Sequence, residues 1–311
     1  MSAGEATSAA AAGSVGAAVA APLFECDDAR FAGVELSLGR VSAQGSLIVL
    51  VGGWAPLFDV LAGFRQLAGG RLSLAGQPAE GAAGRGHVGL ARRDAPLPSW
   101  PALEVVAASA ELLGDSRRRA SERARQALAD LGLEALGKKR PPALRPAELR
   151  ALAIAAATLG EPRVLALEEP LSGLEPSGQA YVDAVIGRAL RGRAGLVSVP
   201  ELPGTPSEDA LAARSDELLF VAGRRLVARG GYRELSARAT RYRVVVARSG
   251  EALLARLSEA GYEVRQMSTA DATTLWLTDA TGLGTLPLFR AALAVEAPIL
   301  ELVPLQLGHA S

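Results

Sequence analysis

The stretch SLIVLVGGWAPLFDVLAGF, Ser46 to Phe64, constrains the fold more than any other part of this chain. Its first half is a Val, Ile and Leu run with no polar alternation. That pattern reads as a strand buried on both faces, as in parallel sheets covered by helices. The second half, LFDVLAGF, reads as the start of a helix. Between the paired glycines Gly52 and Gly53 and that helix stand only Trp54, Ala55 and Pro56. A buried strand therefore feeds a helix through a very short turn.

The remaining chain alternates similar units. Leu23 to Leu50 carries short β-like runs between glycine turns, which predicts antiparallel strands ahead of the buried one. GRLSLAGQP is another short strand and turn, and HVGLARRDAPLPSWP a strand followed by a proline-punctuated loop. A helical region occupies about 103–160. Its arginine run SRRRASERARQALADLGL keeps apolar residues on one side and reads as a solvated helix face. PPALRPAELRALAIAAATL starts a helix near Pro146, the position where a missing N–H costs least. PRVLALEEP is a strand ending in two carboxylates, and RAGLVSVP and DELLFVAGRRLV read as two further strands.

After Ser236 the pattern becomes β-α-β-β-α-β: RYRVVVA, GEALLARLSEAG, YEVRQM, TTLWLT, LPLFRAALAVE and PILELVPL. This predicts a small split βαβ domain over 239–311, following a larger α/β domain over 23–238. Residues 1–22 are small and apolar but lack a basic n-region and a leucine-rich core, so they read as a disordered tail rather than a secretory signal. Among 311 residues the 33 basic and 33 acidic side chains balance, which gives no electrostatic reason to expect nucleic acid. A single cysteine, Cys26, excludes an internal disulfide and fits a reducing compartment.

LRPAELRALAIAAATLGEPRVLALEEPLSGLEP, Leu144 to Pro176, resembles without gaps the stretch of ABC transporter ATPase subunits in which a signature helix leads into the Walker B strand. The likeness extends from about Phe24 to Leu235. The closing βαββαβ unit resembles the C-terminal domain of some bacterial ABC-2-type exporter ATPases. The resemblance implies a P-loop-NTPase-like cassette with a mixed sheet and a helical subdomain, binding ATP and Mg. It also implies pairing with a second ABC ATPase subunit and docking on a separate membrane permease, hence a cytoplasmic position at the inner face of the plasma membrane.

The departures from the family pattern fall on its chemistry. A phosphate-binding loop needs G-x-x-x-x-G-K-[ST], whose amides, lysine and hydroxyl hold phosphates and magnesium. Counting from Gly53 reaches Phe58, Asp59 and Val60 instead, counting from Gly52 reaches Leu57, Phe58 and Asp59, and no lysine precedes Lys138. In the signature, Arg145 stands at the serine position, with Pro146 and Ala147 at the glycines and Glu148 at the glutamine. Val199 stands where the family has a switch histidine. By the same resemblance Glu168 takes the place of the magnesium-binding aspartate and Glu169 that of the water-activating glutamate. Phe31 takes the place of the adenine-stacking aromatic. The Q-loop falls near Arg93, and the stretch from Arg92 to Leu113 corresponds to the permease-docking groove, with Arg93, Leu97, Trp100 and Leu103 as candidate contacts.

Three functions compete. The leading one is a weakly hydrolytic or non-hydrolytic cassette subunit that couples a permease to its partner ATPase. The others are a working ATPase for ABC-2-type export, which the missing lysine opposes, and a soluble cassette-fold regulator acting through protein contacts.

Overall fold

The computed structural model describes residues 21–94, 96–202, 204–222, 224–237, 241–268, 273–278 and 285–305. All but the last two residues of the expected N-terminal tail lie outside them.

The buried run is strand β3 (Leu47–Gly52), at the centre of a six-stranded sheet. It lies parallel to β8 (Ala194–Val199) and β9 (Glu217–Ala222); β8 in turn is parallel to β7 (Val164–Leu167), and β7 to β6 (Val88–Ala91). The last strand, β10 (Arg225–Gly230), folds back antiparallel on β9. The run DELLFVAGRRLV thus makes two strands rather than one, because a reversal interrupts it between Ala222 and Arg225.

Alternation along β3 divides the core between two layers. Ile48 and Leu50 face a second, antiparallel sheet of β1 (Phe24–Phe31), β2 (Arg40–Ala43), β4 (Leu67–Leu74) and β5 (Gln77–Pro78), ordered β2-β1-β4-β5. Helix α1 (Ala55–Ala62) lies in this layer, burying Leu57, Phe58, Val60 and Leu61. Leu47, Val49 and Val51 face the other side, where α2 (Ala102–Leu112), α3 (Arg117–Asp130), α4 (Pro146–Ala157), α5 (Pro176–Ala189) and α6 (Pro206–Ala213) pack. Burial of β3 on both faces is why its sequence shows no polar alternation.

In the helical region, α3 buries Ala120, Ala124, Ala127 and Leu128 and leaves Arg117, Arg118 and Arg119 in solvent. The arginine run is a solvated face, as its spacing predicts. Helix α4 begins at Pro146, and the Glu148 carboxylate accepts the Arg145 N–H at 2.8 Å, satisfying one of the amides that a helix start leaves open.

Helix α7 (Tyr232–Ala237) closes the first region. Beyond it, β11 (Arg241–Val246), α8 (Gly250–Glu259), β12 (Glu263–Ser268), β13 (Thr273–Thr278), α9 (Leu286–Ala294) and β14 (Ile299–Leu305) form the expected βαββαβ unit. Its antiparallel sheet is ordered β12-β13-β11-β14, and Val244, Val246, Leu253, Leu257, Leu275 and Leu277 share a core of their own.

Candidate functional site

Only Gly53 and Trp54 separate β3 from α1. The turn is closed by the Trp54 N–H, which donates to the Gly52 carbonyl at 2.9 Å. The Trp54 indole is 1% exposed, donates to the Val51 carbonyl at 3.1 Å, and packs edge-on against Phe24 with ring centres 6.0 Å apart. Gly52 has φ 99°, and a Cβ built on it would lie 2.2 Å from the Val221 carbonyl oxygen of β9. Close approach of the neighbouring strand therefore dictates glycine there. Gly53 meets no such neighbour.

Two strand ends and helix α1 bring charged groups together beside this turn. Asp59 comes from α1, Arg92, Arg93 and Asp94 follow β6, and Glu168 and Glu169 follow β7. Arg92 spans two carboxylates: its Nε donates to Glu168 at 2.8 Å, and its Nη2 lies 3.0 Å from Asp59. Asp59 also accepts from Arg65 at 3.2 Å, and the Arg92 guanidinium lies 5.9 Å from the centre of the Phe64 ring. The Glu168 bond, above all, holds Arg92 even more firmly charged than an ordinary arginine.

The second acidic residue has its own arginine. Arg93 donates to Glu169 at 2.8 Å and to Asp94 at 2.8 Å. Bonding to Arg93 lowers the Asp94 carboxyl below the usual range. Glu169 has a left-handed backbone, φ 41°, with its N–H donated to Ser198 Oγ at 2.9 Å. From α4, Arg150 approaches Asp94 at 3.8 Å. Burial is the main cause of its lowered pKa, and its Nη1 is buried without a hydrogen-bond partner. Among the described residues, no group of three or more His, Cys, Asp or Glu side chains could hold a metal ion.

The other residues singled out in the sequence lie apart from this cluster. Phe31 is 2% exposed within the apolar core, so its ring offers no face for stacking on a base. Arg145 is the N-cap of α4, exposed and 3.5 Å from Glu148. Leu97 and Leu103 are half-buried against the helical core, whereas Trp100 is 51% exposed. Sequence reasoning overlooked Arg92 and Arg150. The available signal was the charge pattern: RRD ends one parallel strand and EE ends the next, and adjacent parallel strands bring such ends together.

A mixed sheet flanked by a helical region and an antiparallel sheet, with Glu168 and Glu169 at a strand end, defines the ATP-binding-cassette class. Solved structures show the same fold. CbiO1 from Clostridium perfringens, part of the ABC transporter complex cbiONQ, superposes with a TM-score of 0.59 at 19% identity, over 78% of this chain and 98% of that one. A nucleotide-free ATP-binding cassette gives 0.56 at 15% identity, over 67% and 91%. The chain is 30% identical over 178 residues to the lipoprotein-releasing system ATP-binding protein LolD of Chromohalobacter salexigens, covering 57% of this chain and 74% of that protein. LolD of a Ruegeria species is 31% identical, over 63% and 88%. The Fe(3+) ions import ATP-binding protein FbpC 1 of Rhizobium meliloti is 32% identical over 61% of this chain, and the match spans only 55% of that relative. No family-level sequence profile matches. The chain belongs to the ATP-binding subunits of ABC transporters.

Proposed function

We propose that this chain is a non-hydrolytic, or at most weakly hydrolytic, coupling subunit of an ABC transporter. In this reading it pairs with a second cassette and docks on a separate membrane permease at the cytoplasmic face. The two-residue turn between β3 and α1 carries the reading. The amides of a phosphate-binding loop must point into a shared concavity, and a lysine must neutralise the anion. Here the Trp54 amide is used within the turn, the indole is committed to the core, and the first turns of α1 carry Asp59, paired with Arg92 and Arg65, in place of a lysine. These residues do not fit Mg-ATP. Each absent charge-assisted contact forgoes roughly 1.5 to 3 kcal/mol, so affinity should fall by orders of magnitude.

The names of the relatives, which refer to lipoprotein release and iron import, give no support to the ABC-2-type export alternative. Glu168 and Glu169 are engaged with arginines, which suits a structural role for both. Titrating the purified chain with Mg-ATP in a calorimeter tests the proposal. No heat beyond dilution is expected at micromolar concentrations. A micromolar dissociation constant would overturn it.

A further inference from the structure

We infer that the Arg92 guanidinium is the resident cation of this site, holding α1 and the ends of β6 and β7 together without metal or nucleotide. The inference rests on the reading above, that the chain does not take up Mg-ATP.

Asp59 and Glu168 belong to different elements, and both side chains are largely shielded, 24% and 11% exposed. Two shielded carboxylates facing a common position repel each other unless a cation lies between them. Arg92 is that cation, and it is itself only 28% exposed. Its planar fork can direct Nε to one carboxylate and Nη2 to the other, a span beyond the single nitrogen of lysine. The Phe64 ring flanks it, Arg65 takes another side of Asp59, and Arg93 engages Glu169 next door. The arrangement thus joins two strand ends to helix α1 with one side chain. Shortening Arg92 should leave two carboxylates converging on a space lined by oxygen ligands, the donor set that hard divalent cations take.

The experiment is a thermal-shift series on the full chain, with MnCl₂ as the probe and KCl of equal ionic strength as the control. Arg92→Ser should melt below wild type and regain several degrees in millimolar Mn²⁺, because a ligand that binds only the folded state raises its melting temperature. Wild type should not respond, and Arg92→Ser with Glu168→Gln should lose the response. A folded Arg92→Ser that ignores Mn²⁺, or a wild type that responds equally, overturns the inference. If Arg92→Ser does not fold, Arg92→Lys decides through hydrogen exchange of the segment after β6. Faster exchange there than in wild type supports the bridge, and unchanged protection overturns it. Tight Mg-ATP binding by wild type would instead defeat the underlying functional reading, so the two failures are distinct.

Discussion

Arg92 Nε meets the Glu168 carboxylate at 2.8 Å while Nη2 of the same guanidinium lies 3.0 Å from Asp59, so one side chain neutralises two acidic groups. Arg92→Ala should therefore destabilise the chain by about 2 to 3 kcal/mol, somewhat below the range for fully buried pairs because the site is partly open to solvent. Glu168→Gln should weaken the same contact. A double-mutant cycle between them, read by urea denaturation, should give a coupling of roughly 1 to 3 kcal/mol. Strict additivity would show that the pair is geometric rather than energetic.

The turn after β3 should tolerate little change. A methyl group at Gly52 would sit 2.2 Å from the Val221 carbonyl, on a backbone with φ 99°, so Gly52→Ala should cost about 2 kcal/mol or more. Trp54→Ala removes a fully buried indole and should cost about 3 to 5 kcal/mol. Thermal or chemical denaturation measures both. Neither variant should gain affinity for Mg-ATP, since neither supplies the missing ammonium.

Much of this architecture was legible in the sequence because it rests on periodicity and chain stops. The two-sided burial of β3, the start of α4 at Pro146 and the βαββαβ order of the C-terminal unit all follow from local patterns. The shortened turn was legible too, since the count from Gly52 to Lys138 needs no coordinates. What the sequence hid was pairing across the sheet. Nothing local says that Arg92 turns back to Glu168 and Asp59, because β6 and β7 become neighbours only through the parallel order of the sheet. Leu97 and Trp100 look alike in a proline-rich loop, yet only the Trp stands well clear of the core.

Glu148 gives a pH-dependent prediction. Its carboxylate is shielded by the fold, and the Arg145 N–H, then Lys139 at 3.3 Å, holds its pKa below the usual glutamate value. A depressed carboxylate contributes stability above its unfolded pKa, about 4.3, and loses it as pH falls through the folded value. At pH 7, Glu148→Gln should melt below wild type, by a difference corresponding to about 1 to 2 kcal/mol. The gap should narrow once the pH drops below about 4.3. A constant gap across the acid range would assign the effect to packing.

The C-terminal unit should fold alone. Its strands and helices bury Tyr242, Val244, Val246, Leu253, Leu257, Leu275, Leu277 and Leu288 in a core separate from the two layers of the cassette. A fragment spanning residues 241–305 should accordingly be soluble and unfold cooperatively in circular dichroism. A non-cooperative melt would mean that it needs the first region.

Trp100 lies on the surface proposed to dock on the permease. The loop before α2 is pinned, since Arg140 donates to the Ser99 carbonyl at 2.7 Å and the Ala102 N–H to the Lys139 carbonyl at 2.8 Å. Leu97 and Leu103 lean on the helical core, so the pinned loop holds the Trp100 ring half out of it. An exposed indole on a fixed support has the character of an interface anchor, because little conformational freedom remains to be lost on binding. Trp100→Ala should change the stability of the isolated chain by less than about 1 kcal/mol, as surface substitutions do. Co-purification with the permease should nevertheless fall sharply. Leu103→Ala offers the contrast: its half-buried side chain should cost about 1 to 2 kcal/mol of stability when truncated. A loss of roughly 3 to 5 kcal/mol on Trp100→Ala would mark the ring as core instead, and docking at this position would be abandoned.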